Sequence, residues 1–475
     1  MKRLFIILLL IMCAFSTASA AESGKADPRN MTFPELRFDI PKAERVILEC
    51  GAPVYLLRDT ELPIISVAAM VKTGIVYDPA QKTGLAGMTG SAMRNGGAGG
   101  MAPQELDEEL EFMASTVESV IGEDMGAVSM TTLVKNFDRT LVIFKDILLR
   151  PDFNKKRVEL IRKQTLEKLR RQNDDPRDIA DRELISAIYA GHPLGKTPDF
   201  KSIASITRND MVMFHKRFFS VGNMILVVSG DFQRKEIIQR LNSIFRDKTP
   251  DNFPVLDNIP QPELDLRPEI IYARKDTSQT AIRMGRLGLA KDSPDLYAVR
   301  VLDYILGGGF ASRLTMEIRT NRGLAYNVGS HFDIGRRFTG TFVAETETKT
   351  ENTAMVIGLL KDIIAELTKE EVSDQELQSA KDYIINSFMF GFTTPASVVT
   401  QQARLEYYGY PSEYLENYRD NILKVTKQDV LAAARKYLSP DIFKIVVVGN
   451  PAKFDKPLIT FGPARELDLK LNTSK

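Results

Sequence analysis

An internal repeat constrains the fold of this chain more than any other feature of its 475 residues. Segments separated by 219 residues, the interval from Thr207 to Thr426, match without gaps. The matching segments are Thr207–Asp210 with Thr426–Asp429, Arg217–Ser220 with Lys436–Ser439, and Val227–Gly230 with Val446–Gly449. Pro176 and Pro395 keep the same interval. Agreement over several successive elements indicates a duplicated domain.

Each copy of the repeat predicts the same local structure. A threonine followed three residues later by an aspartate is typical of a helix N-terminus, where side-chain oxygens accept hydrogen bonds from free backbone N–H groups. A helix of about eleven residues is predicted to follow. The short apolar runs Met224–Val228 and Ile442–Val448 are rich in β-branched residues and end close to a glycine. Such runs predict buried strands.

The rest of the first copy interleaves further strands and helices. Strands are predicted at Ile64–Lys72 and within Thr116–Val134. Helices are predicted at Pro103–Ala114, Phe137–Leu149, Lys155–Gln172 and Ile179–Ala190. Hairpin-like strands beside clustered helices favour an α+β fold class. The sequence therefore predicts two tandem homologous domains, each an antiparallel sheet packed with helices.

A proline-rich segment marks the predicted boundary between the two domains. Proline removes a backbone donor and fixes φ, so this segment is predicted to be an extended linker. The prolines that mark it are Pro250, Pro254, Pro260, Pro262 and Pro268. The predicted N-terminal domain covers residues 36–250, the linker residues 251–266, and the C-terminal domain residues 267–460.

Residues 1–20 are predicted to be a secretory signal peptide. Lys2 and Arg3 form a positive start, Leu4–Phe15 is an unbroken apolar run, and the sequence Ala-Ser-Ala at residues 18–20 fits a cleavage site. The apolar run is too short to span a bilayer comfortably, and no later stretch approaches the length of a transmembrane helix. The chain is therefore expected to be exported to the periplasm, with no membrane span after cleavage.

Composition argues against one class of partner and leaves one thiol in the cleaved chain. The formal charge is +1 at pH 7, without the basic excess that a nucleic-acid partner requires, so none is expected. Cleavage removes Cys13, and Cys50 alone cannot form an internal disulfide. Cys50 could be a reactive nucleophile, but a small buried residue at the start of a strand is the favoured interpretation. The three histidines, which lack ligand-like spacing and are interpreted as structural, are His192, His215 and His331.

The segment Gly84–Met93, with the sequence G-L-A-G-M-T-G-S-A-M, resembles the metal-binding helix of the insulinase/pitrilysin family of zinc peptidases. In that family the helix reads G-L-A-H-x-x-E-H-x-M, where two His bind zinc and the Glu activates a water molecule. The corresponding positions here are Gly87, Gly90 and Ser91, so no metal is expected on this chain. Glu167, near the position of the family's third ligand, is expected to be unused. The glycines predict either close packing at this face or decay of a ligand site.

A second stretch is similar to the signature of the family's second domain. The sequence G-G-G-F at residues 307–310 leads into E-I-R…R-G-L-A-Y, which ends at Tyr326. In the family an Arg and a Tyr seven residues later face the zinc site, and here they are Arg319 and Tyr326. The resemblance implies that Arg319 binds carbonyl or carboxylate groups and that Tyr326 donates to a developing oxyanion. Gly323, between them, is predicted to have positive φ at a helix C-terminus.

The resemblance implies that the chain is one subunit of a two-subunit peptidase. In parts of this family the zinc motif and the Arg/Tyr pair lie on different chains, and a chain with the pair alone resembles the complementary half. A partner of the same family would supply His-x-x-Glu-His and the zinc. This chain would supply Arg319, Tyr326 and half of a clamshell chamber around a peptide substrate, with no cofactor of its own.

Two other functions remain open. Some members of the family have lost catalysis and act as peptide-binding or scaffold proteins, in which case Arg319 and Tyr326 are ordinary packing or surface residues. An independent zinc peptidase is disfavoured, because the ligands are absent. A neighbouring gene for an exported protein with His-x-x-Glu-His would favour the two-subunit enzyme, and its absence would favour the scaffold.

Overall fold

The computed structural model describes residues 39–246, 256–439 and 441–469. The predicted signal peptide and residues 251–255 of the predicted linker lie outside these ranges. The described part of the chain contains two six-stranded sheets. The first, in the order β1-β2-β6-β3-β5-β4, consists of Glu44–Ile47 (β1), Pro53–Arg58 (β2), Ile64–Val71 (β3), Thr116–Ile121 (β4), Gly126–Leu133 (β5) and Met224–Gly230 (β6).

The second sheet repeats the strand order of the first. Its order is β12-β7-β11-β8-β10-β9, so that β7 to β11 occupy the places of β2 to β6. Its strands are Glu269–Arg274 (β7), Gln279–Leu287 (β8), Ala325–Phe332 (β9), Thr341–Lys349 (β10), Lys444–Gly449 (β11) and Ala464–Glu466 (β12). The predicted α+β fold with two tandem homologous domains is confirmed. The predicted half-clamshell shape stays a prediction.

Both sheets are antiparallel in most of their pairs but also contain parallel pairs. β2 pairs with β6 in parallel, and β7 pairs with β11 and β12 in parallel. A parallel pair requires a crossover connection, and here the chain passes through the other strands and helices of the domain before it returns. Helices cover both faces at the centre of each sheet, so β11 is buried along its whole length and β6 along all but its last residue. This burial explains their continuous apolar runs.

Helices lie between the strands of each copy. The α-helices of the described residues are Leu85–Asn95 (α1), Pro103–Phe112 (α2), Phe137–Leu149 (α3), Lys155–Arg171 (α4), Pro176–Ile188 (α5), Phe200–Ser205 (α6), Arg208–Phe218 (α7), Arg234–Phe245 (α8), Leu296–Asp303 (α9), Thr353–Leu367 (α10), Asp374–Phe388 (α11), Pro395–Tyr408 (α12), Tyr418–Lys424 (α13) and Lys427–Tyr437 (α14). Two π-helical segments, Tyr304–Gly308 and Thr315–Asn321, connect α9 with β9.

The predicted helix starts of the repeat are confirmed. Helices α7 and α14 have eleven residues each and begin after Thr207 and Thr426. The hydroxyl of each threonine accepts a hydrogen bond of 3.2 Å from the backbone N–H of the aspartate three residues later. The carboxylate of that aspartate accepts one of 2.8 Å from the backbone N–H of the threonine. Two free donors at each helix start are thereby satisfied.

Two helices exchange places between the halves of the molecule. Helix α5, from the first copy, packs on the second sheet, where Leu184 and Ile188 join a buried cluster with strand residues. Helix α12, its equivalent in the repeat, packs on the first sheet, where Val399 and Ala403 join the corresponding cluster. Each sheet therefore has one face covered by its own helices and the other by a helix of the opposite half.

Polar contacts fix the exchanged helices. From α12, the hydroxyl of Tyr407 donates to the backbone oxygen of Asp124 at 2.9 Å, and that of Tyr408 to its carboxylate at 2.9 Å. On α5, Asp181 accepts from the buried guanidinium of Arg283 at 2.5 Å. Each exchanged helix thus packs on the sheet of the other half. The predicted domain boundaries near residues 250 and 267 stay predictions.

Candidate functional site

Helix α1 carries the three positions that correspond to the zinc motif. Gly87 and Ser91 lie one turn apart and are exposed on the same face, whereas Gly90 is buried. None of the three offers an imidazole or a carboxylate, so this donor set does not fit a catalytic zinc. Across the described ranges 39–246, 256–439 and 441–469, no group of three or more His, Cys, Asp or Glu side chains is placed to hold a metal.

The two motif glycines have different surroundings. A Cβ atom on Gly90 would lie 2.9 Å from the backbone N of Ile121 and 3.2 Å from its Cγ1. A Cβ on Gly87 would meet no atom within 4 Å. Gly90 therefore allows α1 to approach the edge strand β4 closely, whereas Gly87 has no such role. The two alternatives predicted for the glycines of this helix therefore apply to different positions. Of the two glycines that replace zinc-motif residues, Gly90 is closely packed and Gly87 is not.

Glu167 forms ion pairs within its own helix. It lies on α4, and its carboxylate is 2.9 Å from the guanidinium of Arg170 and 3.4 Å from that of Arg171. The hydrogen bond from Arg170 lowers the pKa of Glu167 below its ordinary value, and Arg171 lowers it further. The carboxylate is thus an exposed, paired anion.

Cys50 and two of the histidines are buried. The Nε2 atom of His215 lies 2.9 Å from the backbone oxygen of Leu148, and burial lowers the pKa of this imidazole to about 4. The Nε2 atom of His192 lies 3.1 Å from the backbone oxygen of Pro260. These residues have structural surroundings, as the sequence predicts, although Cys50 precedes β2 rather than starting it. His331 is exposed on β9.

The structure brings Arg319 and Tyr326 together. Arg319 lies in the second π-helical segment, and Tyr326 is the second residue of β9. Gly323 between them has φ of +62°, as predicted, and this left-handed residue turns the chain from the helix into the strand. The guanidinium carbon of Arg319 lies 4.7 Å from the centre of the Tyr326 ring. The pair therefore forms a cation–π contact at the edge of the second sheet.

A β-bulge turns Tyr326 toward solvent. Val328 pairs with Thr346 and Ala325 with Thr348, so Tyr326 and Asn327 together oppose one residue of β10. Two consecutive residues of β9 are exposed as a result, and Tyr326 is 82% exposed. Its hydroxyl forms no hydrogen bond with any residue in the described part of the chain. A bulge of this kind re-aims a side chain, and here it leaves a phenolic donor available to a ligand.

Arg319 has no carboxylate partner among the residues that the structure describes. Its guanidinium carbon lies near two aromatic rings, 4.7 Å from the centre of Tyr326 and 5.8 Å from that of Phe310. The neighbouring Arg313 and Arg322, by contrast, are paired with Glu376 and Glu317 at 2.7 and 2.6 Å. The N–H donors of Arg319 are therefore available for a carbonyl or carboxylate group.

An open groove of about 910 Å³ begins at Tyr326. One wall is the start of the exchanged helix α5 at residues 174–177, and the other is formed by the adjoining ends of β8, β9 and β10. Glu347 lines it and accepts from Arg283 at 2.8 Å. The sequence predicted a helix at Ile179–Ala190, but no local signal places the start of that helix beside Tyr326. The groove is the part of the site that sequence reasoning missed.

The motif positions and the Arg/Tyr pair belong to different sheets. Helix α1 packs on β4, the edge strand of the first sheet, and Tyr326 lies on β9, the edge strand of the second. Each strand keeps one edge that no other strand of the described chain pairs with. The Arg/Tyr pair is thus presented outward, on a strand edge beside a groove.

A buried carboxyl lies beside the end of β9 that is farther from Tyr326. Asp303 ends α9 and accepts a hydrogen bond from the backbone N–H of Phe332 on β9. Its Oδ1 atom is closed off from solvent without a hydrogen-bond partner in the described part of the chain. Burial raises the pKa of Asp303 to about 7, against the opposing effects of that N–H and of Arg300. The folded protein therefore binds this proton more tightly than the unfolded chain.

This raised pKa predicts a pH-dependent stability. Stability from Asp303 is present below about pH 4 and is lost as pH rises through about 7, because the folded state then holds a buried charge. Asp303→Asn should match the wild type in free energy of unfolding near pH 4 and exceed it at pH 8 by about 4 kcal/mol. Urea unfolding at both pH values measures the difference. A stability difference that does not change with pH would contradict the predicted titration.

Two sequence models of one peptidase family match this chain. The model described as "Insulinase (Peptidase family M16)" matches residues 54–198. The model described as "Peptidase M16 inactive domain" matches residues 205–384. The duplicated sheet fold and the two signatures define a peptidase-like chain of the insulinase type. The chain belongs to peptidase family M16, the insulinase family, and the resemblance seen in the sequence is confirmed.

Relatives in this family carry contrasting names. "Non-peptidase homolog YmxG" of Helicobacter pylori is 24% identical over 426 residues, which cover 86% of this chain and 94% of the relative. An "Uncharacterized zinc protease" of Rickettsia felis is 24% identical over 402 residues, which cover 82% of this chain and 94% of that protein. Proteins named as peptidases and as non-peptidases are thus equally similar to this chain.

Solved structures show the same fold. The structure of a peptidase M16 inactive domain from Pseudomonas fluorescens has a TM-score of 0.80 and 27% identity, and the match covers 88% of this chain and all of that chain. The periplasmic protease PqqL from Escherichia coli has a TM-score of 0.71 and 14% identity, with coverage of 88% of this chain and 48% of that protein. The second likeness is one of fold alone.

Proposed function

We propose that this chain is the subunit of an exported two-subunit zinc peptidase that does not bind the metal. The observation that carries this proposal is that the polar groups of Arg319 and Tyr326 are available to a ligand. Arg319 has no carboxylate partner within the described residues, and Tyr326 is exposed on a bulged strand edge. Gly87, Gly90 and Ser91 offer no zinc ligands. The metal and the water-activating glutamate then come from a partner subunit of the same family.

The roles of the two residues follow from their chemistry. When water attacks a peptide carbonyl, negative charge develops on the carbonyl oxygen, and the Tyr326 hydroxyl can donate a hydrogen bond to it. Arg319 offers several N–H donors in a plane and binds a neighbouring carbonyl of the peptide. An extended peptide can add to a strand edge through backbone hydrogen bonds, and its side chains can enter the adjoining groove. The partner's zinc supplies the activated water.

A scaffold or peptide-binding function is the second candidate. The relative named "Non-peptidase homolog" supports it, and so does the close packing at Gly90, which leaves no space for the water-activating glutamate on this chain. Under this reading the groove and the strand edge bind a peptide without cleavage. The cation–π contact between Arg319 and the exposed Tyr326 favours the enzyme subunit, because it holds the two residues of the family signature together while their polar donors stay free.

Export to the periplasm is part of the proposal. Its support is the signal-like segment at residues 1–20, which lies outside the described residues. A structural neighbour is named as a periplasmic protease. Among the described residues, no helix has the length and apolar content that a bilayer crossing requires.

Metal analysis combined with a peptidase assay tests the proposal. The purified chain is expected to hold no stoichiometric zinc and to cleave no peptide, whereas mixing it with the zinc-motif protein of the same genome should create activity. The zinc-motif protein alone is the control. One tightly bound zinc on the isolated chain, together with peptide cleavage, would overturn the proposal. A complex that forms without activity would favour the scaffold.

A further inference from the structure

Phe310 is an exposed aromatic residue that the proposed roles leave unexplained. It lies between the two π-helical segments and is 84% exposed. Leaving a phenylalanine ring in water forfeits about 2 kcal/mol of burial free energy. The ring faces the guanidinium of Arg319, whose carbon lies 5.8 Å from the ring centre, and the Tyr326 ring lies on the same guanidinium at 4.7 Å. The exposed Phe310 ring therefore has one charged side chain, Arg319, beside it.

The backbone before Phe310 is fixed against β9. A Cβ atom on Gly307 would overlap the backbone N and the side chain of Ser330 on β9, so only glycine allows this approach. A Cβ on Gly309 would lie 2.7 Å from the ring of Tyr304. The turn is thus pressed onto the strand that carries Tyr326, and Phe310 follows directly. The close packing of the turn at Gly307–Gly309 therefore determines the position of Phe310 beside Arg319.

Arg319 needs such a restraint because it lacks any other. An arginine side chain has several rotatable bonds, and no ion pair or side-chain hydrogen bond within the described residues fixes this one. Aromatic rings attract a guanidinium face to face and leave its N–H groups free in the plane. Two such rings restrict the guanidinium without using its donors. The donors therefore stay free for a ligand.

We propose that Phe310 is a positioning residue, which together with Tyr326 restrains the Arg319 guanidinium by cation–π contact so that its donors are ordered before a peptide binds. The functional half of this inference rests on the proposed peptidase role of Arg319. A cation–π contact at an exposed site corresponds to about a two- to five-fold effect. Phe310→Ala is therefore expected to lower kcat/KM of the two-subunit enzyme by about that factor.

The contact itself can be tested on the isolated chain. The sequence contains no tryptophan, so Phe310→Trp introduces a single fluorescent reporter at this position. Its emission should change when Arg319→Leu is added, because the indole then loses the stacked cation. Phe112→Trp is the matched control, because Phe112 is 91% exposed at the end of α2, which packs on the first sheet. Its emission should not change when Arg319→Leu is added. Emission of Phe310→Trp that is indifferent to Arg319→Leu would overturn the inference.

The positioning role is tested by a double-mutant cycle with the zinc-motif partner. Phe310→Ala should lower kcat/KM, Phe310→Trp should largely retain it, and Phe112→Ala should leave it unchanged. In an Arg319→Ala background, Phe310→Ala should have no further effect, because it acts through the guanidinium. Full activity of Phe310→Ala, or additive losses, would overturn the inference. Absence of any activity in the mixture would instead overturn the proposed function, and the fluorescence result would still report the contact.

Discussion

Replacement of Tyr326 by phenylalanine is expected to lower the turnover of the two-subunit peptidase by about 10²–10³-fold. The change removes one hydroxyl and keeps the ring, so the stacking on Arg319 at 4.7 Å is retained. What is lost is a donor to the oxyanion that develops on the peptide carbonyl. Because this interaction is made in the transition state alone, kcat should fall while KM changes little.

Tyr383→Phe provides the matched control for this experiment. Tyr383 is also an exposed tyrosine, 51% exposed on α11, and its ring stacks on that of Tyr304. Loss of its hydroxyl is expected to leave turnover within two-fold of the wild type, because the change keeps the ring stacked on Tyr304 and an exposed hydroxyl contributes little. Steady-state kinetics of the reconstituted enzyme with both variants gives the comparison. Unchanged turnover in Tyr326→Phe would remove Tyr326 from the mechanism.

Local signals in the sequence were sufficient for many elements of this fold. Helix α3 was predicted and observed at Phe137–Leu149, and the capped helices of the repeat begin at Thr207 and Thr426 as predicted. These elements are determined by nearby residues: a capping side chain, a hydrophobic period and a terminating turn. Helix α5 was predicted to begin at Ile179 but begins at Pro176, because Asp175 caps it and proline suits its first turn.

The sequence could not predict features that depend on distant partners. An amphipathic period shows that α5 and α12 bury one face each, but it does not say which sheet covers that face. The bulge at Tyr326 depends on how β9 pairs with β10, some twenty residues later. The groove depends on both features, since α5 forms one wall and the bulged strand the other. Arg319 and Tyr326 could be named from the sequence, but their surroundings could not.

Gly90 and Gly87 are expected to respond in opposite directions to the same substitution. Gly87→Ala should raise the free energy of unfolding by about 0.5–1 kcal/mol, because alanine favours a helix and the added Cβ meets no atom within 4 Å. Gly90→Ala should lower it by about 1–3 kcal/mol, because its Cβ would lie 2.9 Å from the backbone N of Ile121. Urea unfolding of the two variants at one pH measures both effects.

Gly90→Glu, which restores the residue that activates water in the family, is expected to be the most damaging of these changes. It adds a buried carboxylate to the overlap with β4 and should cost more than about 3 kcal/mol. Such a loss of stability would mean that the packing of α1 on β4 excludes the glutamate of the motif. Substituting the family's ligands into this helix would then not restore a zinc site. If Gly90→Glu is as stable as Gly87→Ala, β4 moves aside freely. The degenerate motif would in that case be simple decay, and this chain could regain a metal by substitution alone.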